Sequence, residues 1–313
     1  MLQRHTIGII GTGQVGMATA YSLVQQRIAR ELILIDRDHR RAEGEAMDLM
    51  HAQGYVGRRR VRAGDYPDLA NAQIVIITAG VGQKPGEDRL SLLNRNAEVF
   101  RQIAGQLDLY APKAILLVAS NPVDIMTYVM QELSNRPDSK VIGTGTMLDT
   151  TRARTLLAEH YEVDPRSVHA VVLGEHGDSE LAVWSRANIG GTPILGNAIL
   201  GKQCDLQFLD AIMSQVRRAA YDIIERKGYT NWAIGLVIAH LVRTIQEDQG
   251  SVLPISVRLR GEYGIEDVCL SIPVRVGIEG AGERLQIPLS DDEHRALVSS
   301  ADTLKSSLCS LSL

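Results

Sequence analysis

The predicted fold is decided by the stretch Gly11-Thr12-Gly13-Gln14-Val15-Gly16, which directly follows the apolar segment Thr6–Ile10. A helical pattern over residues 17–26 comes next, and a second apolar segment, Glu31–Ile35, leads into Asp36. Three glycines at this spacing are a weak signal alone, because a glycine turn without any ligand has the same letters. Strand, glycines, helix, strand and terminal acid in this order are typical of a dinucleotide-binding βαβ unit.

Each part of this unit has a physical role. Gly11 permits a tight turn, Gly13 lets the backbone approach a pyrophosphate, and Gly16 lets the helix pack closely on the strand. The free N–H groups and positive dipole end of that helix attract phosphate. Asp36 would accept hydrogen bonds from the adenosine ribose and repel a 2′-phosphate, so NAD is the predicted cofactor. Arg37, directly after it, leaves NADP as the alternative.

Further apolar segments alternate with helical patterns through the first half of the chain. The additional predicted strands are residues 60–63, 73–78, 114–119 and 140–142. The predicted helices between them are residues 38–53, 92–109 and 123–133. Six strands with mostly helical crossovers predict an α/β fold with a Rossmann-type, doubly wound parallel sheet, whose ligand lies outside the carboxyl ends of the strands.

The pattern changes after about Gly143 and predicts a mixed α+β second half without another glycine fingerprint. Residues 168–173 and 179–184 read as an antiparallel pair, and the other predicted strands are residues 253–259, 268–276 and 284–288. The predicted helices are residues 148–161, 206–227 and 232–247, and a last helix that Ser290 caps with support from Glu293. The predicted domains are therefore residues 1–143, which bind the cofactor, and 144–313, which bind the substrate.

Composition excludes several classes of function. With 45% hydrophobic and 22% charged residues, the 313-residue chain fits a soluble globular protein. A net charge of −4 implies no general attraction to nucleic acid or an anionic membrane. The three scattered cysteines predict neither disulfides nor a metal site. Because no apolar run reaches about 18 residues and no secretory pattern is present, we expect a cytoplasmic protein without a membrane span.

One histidine stands out as a candidate for proton transfer. His176 follows the apolar run 168–173 and lies between Gly174 and Gly177, although a turn or a buried structural histidine has the same pattern. A nicotinamide cofactor moves hydride, so its partner reaction needs a group that gives or takes a proton, and histidine suits that role near neutral pH. Asp149 and Arg152 share a helix face and could orient the ring and bind a substrate carboxylate, with an exposed ion pair as the alternative.

A loop rich in glycine and proline, residues 80–89, follows the fourth predicted strand at the carboxyl edge of the sheet. Such a loop could close over a cofactor as a lid, and an ordinary surface loop is the alternative. Arg89 would then arrive on closure and support negative charge that develops on a substrate carbonyl oxygen.

Together these motifs give the chain a family resemblance along essentially its whole length. It resembles the L-lactate dehydrogenases of bacterial type, within the lactate/malate dehydrogenase superfamily. The matching segments are residues 11–16, 82–89, 120–124, 148–152, 174–178 and 227–235. The resemblance implies reversible, NADH-dependent reduction of pyruvate to (S)-lactate, as in glycolysis and pyruvate fermentation.

The resemblance also implies roles for individual residues. His176 would be the proton donor and acceptor, with Asp149 orienting it. Arg152 would bind the substrate carboxylate, Arg89 the carbonyl, and Asn121 both the substrate and the nicotinamide ribose. The implied NAD contacts are Gly11, Gly13, Val15, Gly16, Asp36, Arg41, Tyr66, Gly80, Val81, Ala119, Asn121 and Ile234.

Two positions bear on the choice of substrate. Malate enzymes of this superfamily carry arginine where this chain has Gln83, because a second substrate carboxylate needs a cation. Thr230 also matches the residue of the lactate enzymes. The resemblance therefore implies pyruvate and lactate, with a malate dehydrogenase as the runner-up.

Regulation and assembly are implied by resemblance alone. Arg154 and His169 match the positions at which many bacterial lactate dehydrogenases bind fructose 1,6-bisphosphate, although a plain subunit contact would use the same residues. The resemblance implies a homotetramer or homodimer, with allosteric activation as one possibility. A rival from another class, a non-catalytic NAD-binding protein, would have had no need to keep His176, Asp149 and Arg152.

Overall fold

The computed structural model describes residues 6–82 and 88–311. Its helices are α1 (Gln14–Gln25), α2 (His39–His51), α3 (Gln53–Val56), α4 (Arg89–Tyr110), α5 (Val123–Leu133), α6 (Met147–Tyr161), α7 (Leu206–Lys227), α8 (Trp232–Gln246) and α9 (Asp291–Leu308). Its strands are β1 (Thr6–Ile10), β2 (Glu31–Ile35), β3 (Arg60–Ala63), β4 (Ala72–Ile77), β5 (Ile115–Val118), β6 (Val141–Gly143), β7 (Val168–His169), β8 (Val172–Leu173), β9 (Leu181–Ala182), β10 (Asn188–Ile189), β11 (Thr192–Pro193), β12 (Ser251–Arg260), β13 (Glu266–Gly277) and β14 (Gly280–Arg284).

The first six strands form a parallel sheet in the order β3-β2-β1-β4-β5-β6. Most of these strands are runs of apolar residues, such as the buried five-residue β1 and four-residue β5, whereas the edge strand β3 contains two arginines. Continuous apolar strands are typical of a parallel sheet that helices cover on both faces. The predicted doubly wound sheet is confirmed, and its strand order reverses between β1 and β4.

Three antiparallel strands from the second half extend the same sheet to nine strands. β12 joins the edge of β6, where Ser256 pairs with Gly143, and β13 and β14 follow. The sheet therefore runs across the boundary predicted at residues 143 and 144. The division into two domains stays a prediction.

Helix α8 ties the second half to the glycine-rich unit. Gly235 in α8 lies so close to α1 that a Cβ atom there would come within 2.8 Å of the Ala18 carbonyl carbon. Ile238, Ala239 and Leu241 of α8 are fully buried in the same apolar core as the parallel strands. This packing brings the N-terminal end of α8 near the glycine motif.

Two strand predictions were wrong. The predicted strand 168–173 is split, because β7 pairs with β10 while β8 pairs with β9. The predicted strand 284–288 is instead β14, which pairs with β13 and begins after a turn at Gly277 and Gly280. Gly280 has a φ of 94° and starts a Gly-Ala-Gly sequence. Glycine disfavours strands in general, so this segment gave no strand signal.

Helix ends largely follow their capping residues. Ser290 and Glu293 form the predicted capping box at α9. Helix α4 begins at Arg89, three residues earlier than predicted, because Asp88 accepts a hydrogen bond from the Ser91 backbone N–H. Half of the predicted lid (80–89), namely residues 83–87, lies outside the described residues.

None of the helices in the described parts of the chain is long and apolar enough to cross a membrane.

Candidate active site

The glycine motif shapes the first part of the site, in front of α1. Gly11 has a φ of 99°, and a Cβ atom there would lie 2.7 Å from the Ala79 nitrogen. A Cβ atom on Gly16 would lie 2.0 Å from the Gly11 carbonyl oxygen. Gly13, the N-cap of α1, has no atom within 4 Å of such a position. Gly11 and Gly16 are thus closely packed against neighbouring atoms, whereas the space beside Gly13 is open. The N-terminus of α1 is therefore accessible to a phosphate group.

Asp36 provides a fixed negative charge beside that space. Its Oδ2 accepts hydrogen bonds from the Thr12 backbone N–H at 2.7 Å and hydroxyl at 2.9 Å, and its Oδ1 accepts one from the Asp38 N–H at 3.0 Å. Burial acts to raise the pKa of Asp36, but these hydrogen bonds and nearby Arg41 together lower it. An ionised carboxylate here fits ribose hydroxyls and opposes a phosphate, so these residues fit NAD.

The other predicted cofactor residues gather around the same edge of the sheet. Tyr66 follows β3, Gly80 and Val81 follow β4, and Ala119 and Asn121 follow β5. Because the carboxyl ends of parallel strands meet at one edge, these residues lie on the side of the glycine motif.

Three more predicted contacts come from helices. Val15 lies in the first turn of α1, Arg41 lies near the start of α2, and Ile234 lies near the start of α8. Ile234 and Val15 are both partly buried and pack against the main apolar core.

His176 lies in the loop between β8 and β9. Its ring Nδ1 is 2.6 Å from Oδ2 of Asp149, in the first turn of α6. The other oxygen of Asp149, Oδ1, accepts a hydrogen bond of 2.8 Å from Nη1 of Arg152. Asp149 is only 2% exposed, so the alternative of an exposed ion pair between these two residues is wrong. The structure thus joins His176, Asp149 and Arg152, as predicted from the sequence.

The charges of this group are strongly coupled. Burial opposes the charged form of His176, but the Asp149 carboxylate outweighs it and raises the pKa of His176 to about 9. Burial likewise acts to raise the pKa of Asp149, and the cations His176 and Arg152 together hold it below its usual range. An imidazolium beside an ionised aspartate is therefore the favoured state at neutral pH.

Asp124 is a functional candidate that sequence reasoning left without a role. Its Oδ2 accepts a hydrogen bond of 2.7 Å from the His176 backbone N–H, and its Oδ1 accepts one of 2.6 Å from the Ser256 hydroxyl. Burial raises the pKa of Asp124 to about 6 despite these bonds. The available signal was an acid in the first turn of an otherwise apolar helix, α5. We call His176, Asp149, Arg152 and Asp124 the histidine cluster.

Three fully buried serines hold the segments that carry this cluster. Besides Ser256, Ser271 in β13 accepts a hydrogen bond of 3.0 Å from the backbone N–H of Thr146, the N-cap of α6. Ser300 in α9 accepts one of 2.8 Å from the backbone N–H of Glu175, next to His176. The added strands and the last helix therefore position the loop and helix that carry the cluster.

A cavity of about 580 Å³ lies between α6, α7 and the start of α8. Arg152 and Thr230 both line it, together with apolar side chains such as Leu148 and Trp232. The predicted substrate residues Arg152 and Thr230 thus share one cavity. Gln83 lies outside the described residues, and the structure places Arg89 at the start of α4 without describing its side chain.

Arg154 and His169 line a second cavity, of about 210 Å³, together with Arg186. The Arg154 Nε donates a hydrogen bond of 2.8 Å to the Ala170 carbonyl oxygen. The two residues predicted to bind a phosphorylated effector therefore lie near each other, away from the cavity that Arg152 lines.

Comparison with known proteins agrees with this architecture. Residues 5–143 match the family model of the lactate/malate dehydrogenase NAD binding domain, and residues 146–311 match that of the lactate/malate dehydrogenase alpha/beta C-terminal domain. The chain is 56% identical to an L-lactate dehydrogenase of Salinibacter ruber, covering 100% of this chain and 99% of that protein. It is 45% identical to L-lactate dehydrogenase 1 of Clostridium acetobutylicum, covering 99% and 100%.

Solved structures give the same picture. The crystal structure of a minor L-lactate dehydrogenase from Enterococcus mundtii, in a ligands-bound form, superposes with a TM-score of 0.96 at 41% identity and covers 99% of both chains. A lactate dehydrogenase from a Medee basin deep-sea metagenome library superposes with a TM-score of 0.95 at 40% identity, again covering 99% of both chains. With both halves matched and relatives this similar along its whole length, the chain belongs to the lactate/malate dehydrogenase family.

Proposed function

We propose that this protein is an NAD-dependent L-lactate dehydrogenase, which reversibly reduces pyruvate to (S)-lactate. The observation that carries the proposal is the chain of contacts from His176 through Asp149 to Arg152, with Arg152 lining a cavity. Bound NADH supplies the hydride for this reduction. The residues of the chain supply the proton, the binding of the substrate acid group and the exclusion of water.

His176 serves as the proton donor in the reduction and the acceptor in the oxidation. Because its Nδ1 faces Asp149, its Nε2 is the nitrogen that can face a substrate oxygen. A pKa of about 9 keeps the ring protonated at neutral pH, which suits a group that must give a proton to an alkoxide. Asp149 fixes the ring orientation and favours its charged form.

Arg152 binds the substrate carboxylate. One guanidinium nitrogen is committed to Asp149, and the side chain also lines the cavity, so it still has N–H groups for a substrate anion. We further propose that Arg89 supports the charge on the carbonyl oxygen and that Asn121 binds the substrate and the nicotinamide ribose. Arg89 begins α4, directly after the segment 83–87 proposed to close over the substrate.

The choice of pyruvate rests on charge. A neutral Gln83 offers no partner for the second carboxylate of oxaloacetate, whereas Thr230 in the cavity tolerates the pyruvate methyl group. An unpaired buried carboxylate costs several kcal/mol, so oxaloacetate should be the poorer substrate. A malate dehydrogenase is the alternative.

The finer features belong to the same proposal. We infer a cytoplasmic homotetramer or homodimer that works in glycolysis and pyruvate fermentation, as the family resemblance implies. We also infer a binding site for fructose 1,6-bisphosphate at Arg154 and His169, because an arginine and a histidine that line one cavity can both donate hydrogen bonds to a phosphate.

Initial rates of NADH oxidation test the activity, the substrate and the effector together. The rates would be measured with pyruvate and with oxaloacetate, each with and without fructose 1,6-bisphosphate. We expect pyruvate to have a kcat/KM at least about 10²-fold higher than oxaloacetate, the equivalent of about 3 kcal/mol. A higher kcat/KM for oxaloacetate would support the malate alternative, and no turnover of either would contradict the proposed activity.

A further inference from the structure

A second buried carboxyl group, that of Glu180, lies beside the Asp149–His176 pair. Glu180 directly precedes β9 and is 2% exposed. One carboxylate oxygen of Asp149, one of Glu180 and one ring nitrogen of His176 all lie within 4.8 Å of one another. Two buried carboxyl groups therefore lie beside one imidazole, whose side chain is 24% exposed.

The two carboxyl groups are not bound alike. Both oxygens of Asp149 accept hydrogen bonds, whereas Oε1 of Glu180 is buried and has no hydrogen-bond partner within residues 6–82 and 88–311. Arg217 in α7 lies next to it and donates a hydrogen bond of 2.7 Å to the Glu180 carbonyl oxygen. A buried carboxyl oxygen without a partner usually signals a functional requirement or a protonated group.

Charge explains why Glu180 differs from Asp149. Burial, followed by repulsion from ionised Asp149, raises the pKa of Glu180 to about 8, while His176, Arg217 and Arg152 act to lower it. The carboxyl groups that face His176 are Asp149, Asp124 and Glu180. Asp149 stays ionised because Arg152 and His176 both bind it, so of these two carboxyl groups Glu180 is the one that can change its charge near neutral pH.

The same three residues have the spacing of a three-ligand metal site. A cation would have to replace the hydrogen bond of Asp149 to His176 and lie beside the Arg152 guanidinium. Because Asp149 and His176 are already hydrogen-bonded to each other, an electrostatic role suits the cluster better than metal binding.

We propose that Glu180 is a positioning residue that sets the proton affinity of His176 by its charge, without touching the substrate. An ionised Glu180 stabilises the imidazolium, so His176 holds its proton to a higher pH. When His176 gives up its proton, its imidazolium no longer helps to balance the negative charge of Asp149. A protonated Glu180 then adds no second negative charge to the cluster. Its part in turnover rests on the proposed dehydrogenase function, but its effect on His176 does not.

The experiment is a pH titration of His176 in the wild-type protein and in Glu180→Gln. Proton NMR would follow the ring, whose signal is identified by its absence in His176→Asn. Glutamine keeps the size of the side chain and removes its charge, so we expect the His176 midpoint to fall by about one pH unit. The high-pH limb of the pH profile of kcat/KM for pyruvate should move to lower pH by the same amount, and the affinity for NADH should stay unchanged.

Two further variants separate charge from structure. Glu225→Gln removes one carboxylate from an exposed position on α7 and should leave the midpoint where it is. Glu180→Asp keeps the negative charge, so its His176 midpoint should be higher than that of Glu180→Gln. An unchanged midpoint in folded Glu180→Gln would overturn the proposal, whatever happens to the melting temperature.

A measurement on the wild-type protein covers the case in which Glu180→Gln does not fold. Carbon NMR of protein labelled at the glutamate carboxyl carbon should show one carboxyl group that titrates near pH 8. A glutamate titration with no matching inflection in the His176 titration would overturn the proposal, because two charges that interact must titrate together. If the wild-type protein does not reduce pyruvate, the proposed function fails, while the two NMR titrations still decide the role of Glu180.

Discussion

The glycine-rich unit is proposed to bind the cofactor and the histidine cluster to transfer the proton, and the chain builds the two regions differently. Gly11, Gly16 and Asp36 lie close in sequence, and several of their contacts are local to one βαβ unit, such as the bond from the Gly11 N–H to the Ile35 carbonyl at 2.8 Å. The residue after β4 adds one more neighbour, because the Thr78 hydroxyl donates a hydrogen bond of 2.8 Å to the Gly11 carbonyl oxygen. The histidine cluster joins α5, α6 and the loop after β8, and buried serines from β12, β13 and α9 hold it. The first region is set by short-range pattern, and the second by the packing of distant segments.

This difference suggests that cofactor binding and proton transfer are separable. Within residues 6–82 and 88–311, no hydrogen bond joins the glycine-rich unit to the histidine cluster, whose serine anchors all come from the second half of the chain. Substitutions in one region should therefore leave the property of the other intact.

The largest effect is expected from His176→Asn. Asparagine can still donate a hydrogen bond to Asp149, but it cannot give a proton to the substrate oxygen. We expect kcat for pyruvate to fall by roughly 10²-fold or more, while NADH binding is retained. Steady-state rates and NADH fluorescence titration would measure the two properties. Loss of NADH binding together with turnover would break the separation between the two regions.

Gly16→Ala should produce the opposite pattern. The added Cβ atom would overlap the Gly11 carbonyl oxygen at 2.0 Å, so α1 must move away from the strand. We expect the Kd for NADH to rise on the order of tenfold, a cost of about 1.4 kcal/mol, because the helix N-terminus shifts from the phosphate position. The His176 titration should stay unchanged.

Gly44→Ala is the matched control for this substitution. Gly44 lies in α2, and no atom is within 4 Å of its Cβ position. Alanine should therefore leave NADH affinity unchanged and stabilise the helix by about 0.5–1 kcal/mol. Equal NADH affinity in Gly16→Ala and the wild-type protein would show that close packing at Gly16 is not needed for cofactor binding.

The same difference decides how much the sequence could predict. The first six strands were predicted because continuous apolar runs and glycines are local signals. The split of residues 168–173 and the pairing of β14 depend on partner strands elsewhere, so those predictions were wrong. No local pattern could show that β12–β14 join the parallel sheet.

The candidate site divides in the same way. Asp149 and Arg152 were predicted as a pair because three residues separate them on a helix. The sequence could not give their burial, which made an exposed ion pair an equal alternative. Asp124 and Glu180 received no role, because their importance comes from a backbone N–H and an imidazole that only the folded chain brings near them.

Ser256→Ala should give the smallest effect and tests whether the distant anchors matter to proton transfer. The substitution removes the 2.6 Å hydrogen bond to Asp124, whose other oxygen holds the His176 backbone N–H. Without that bond, burial should raise the pKa of Asp124 further, and a protonated Asp124 binds the N–H less strongly. We expect kcat for pyruvate to fall about three- to tenfold, with the Kd for NADH unchanged.

Ser214→Ala, at an exposed position of α7, is the control that should change neither property. The rates should be compared at pH 7, above the Asp124 pKa of about 6 and below the His176 pKa of about 9, so that both groups have their functional charge in the wild-type protein. A lower melting temperature with unchanged kcat would mean that Ser256 serves the fold alone. A fall in kcat at constant NADH affinity would instead show that a strand of the second half controls the catalytic loop through one buried carboxylate.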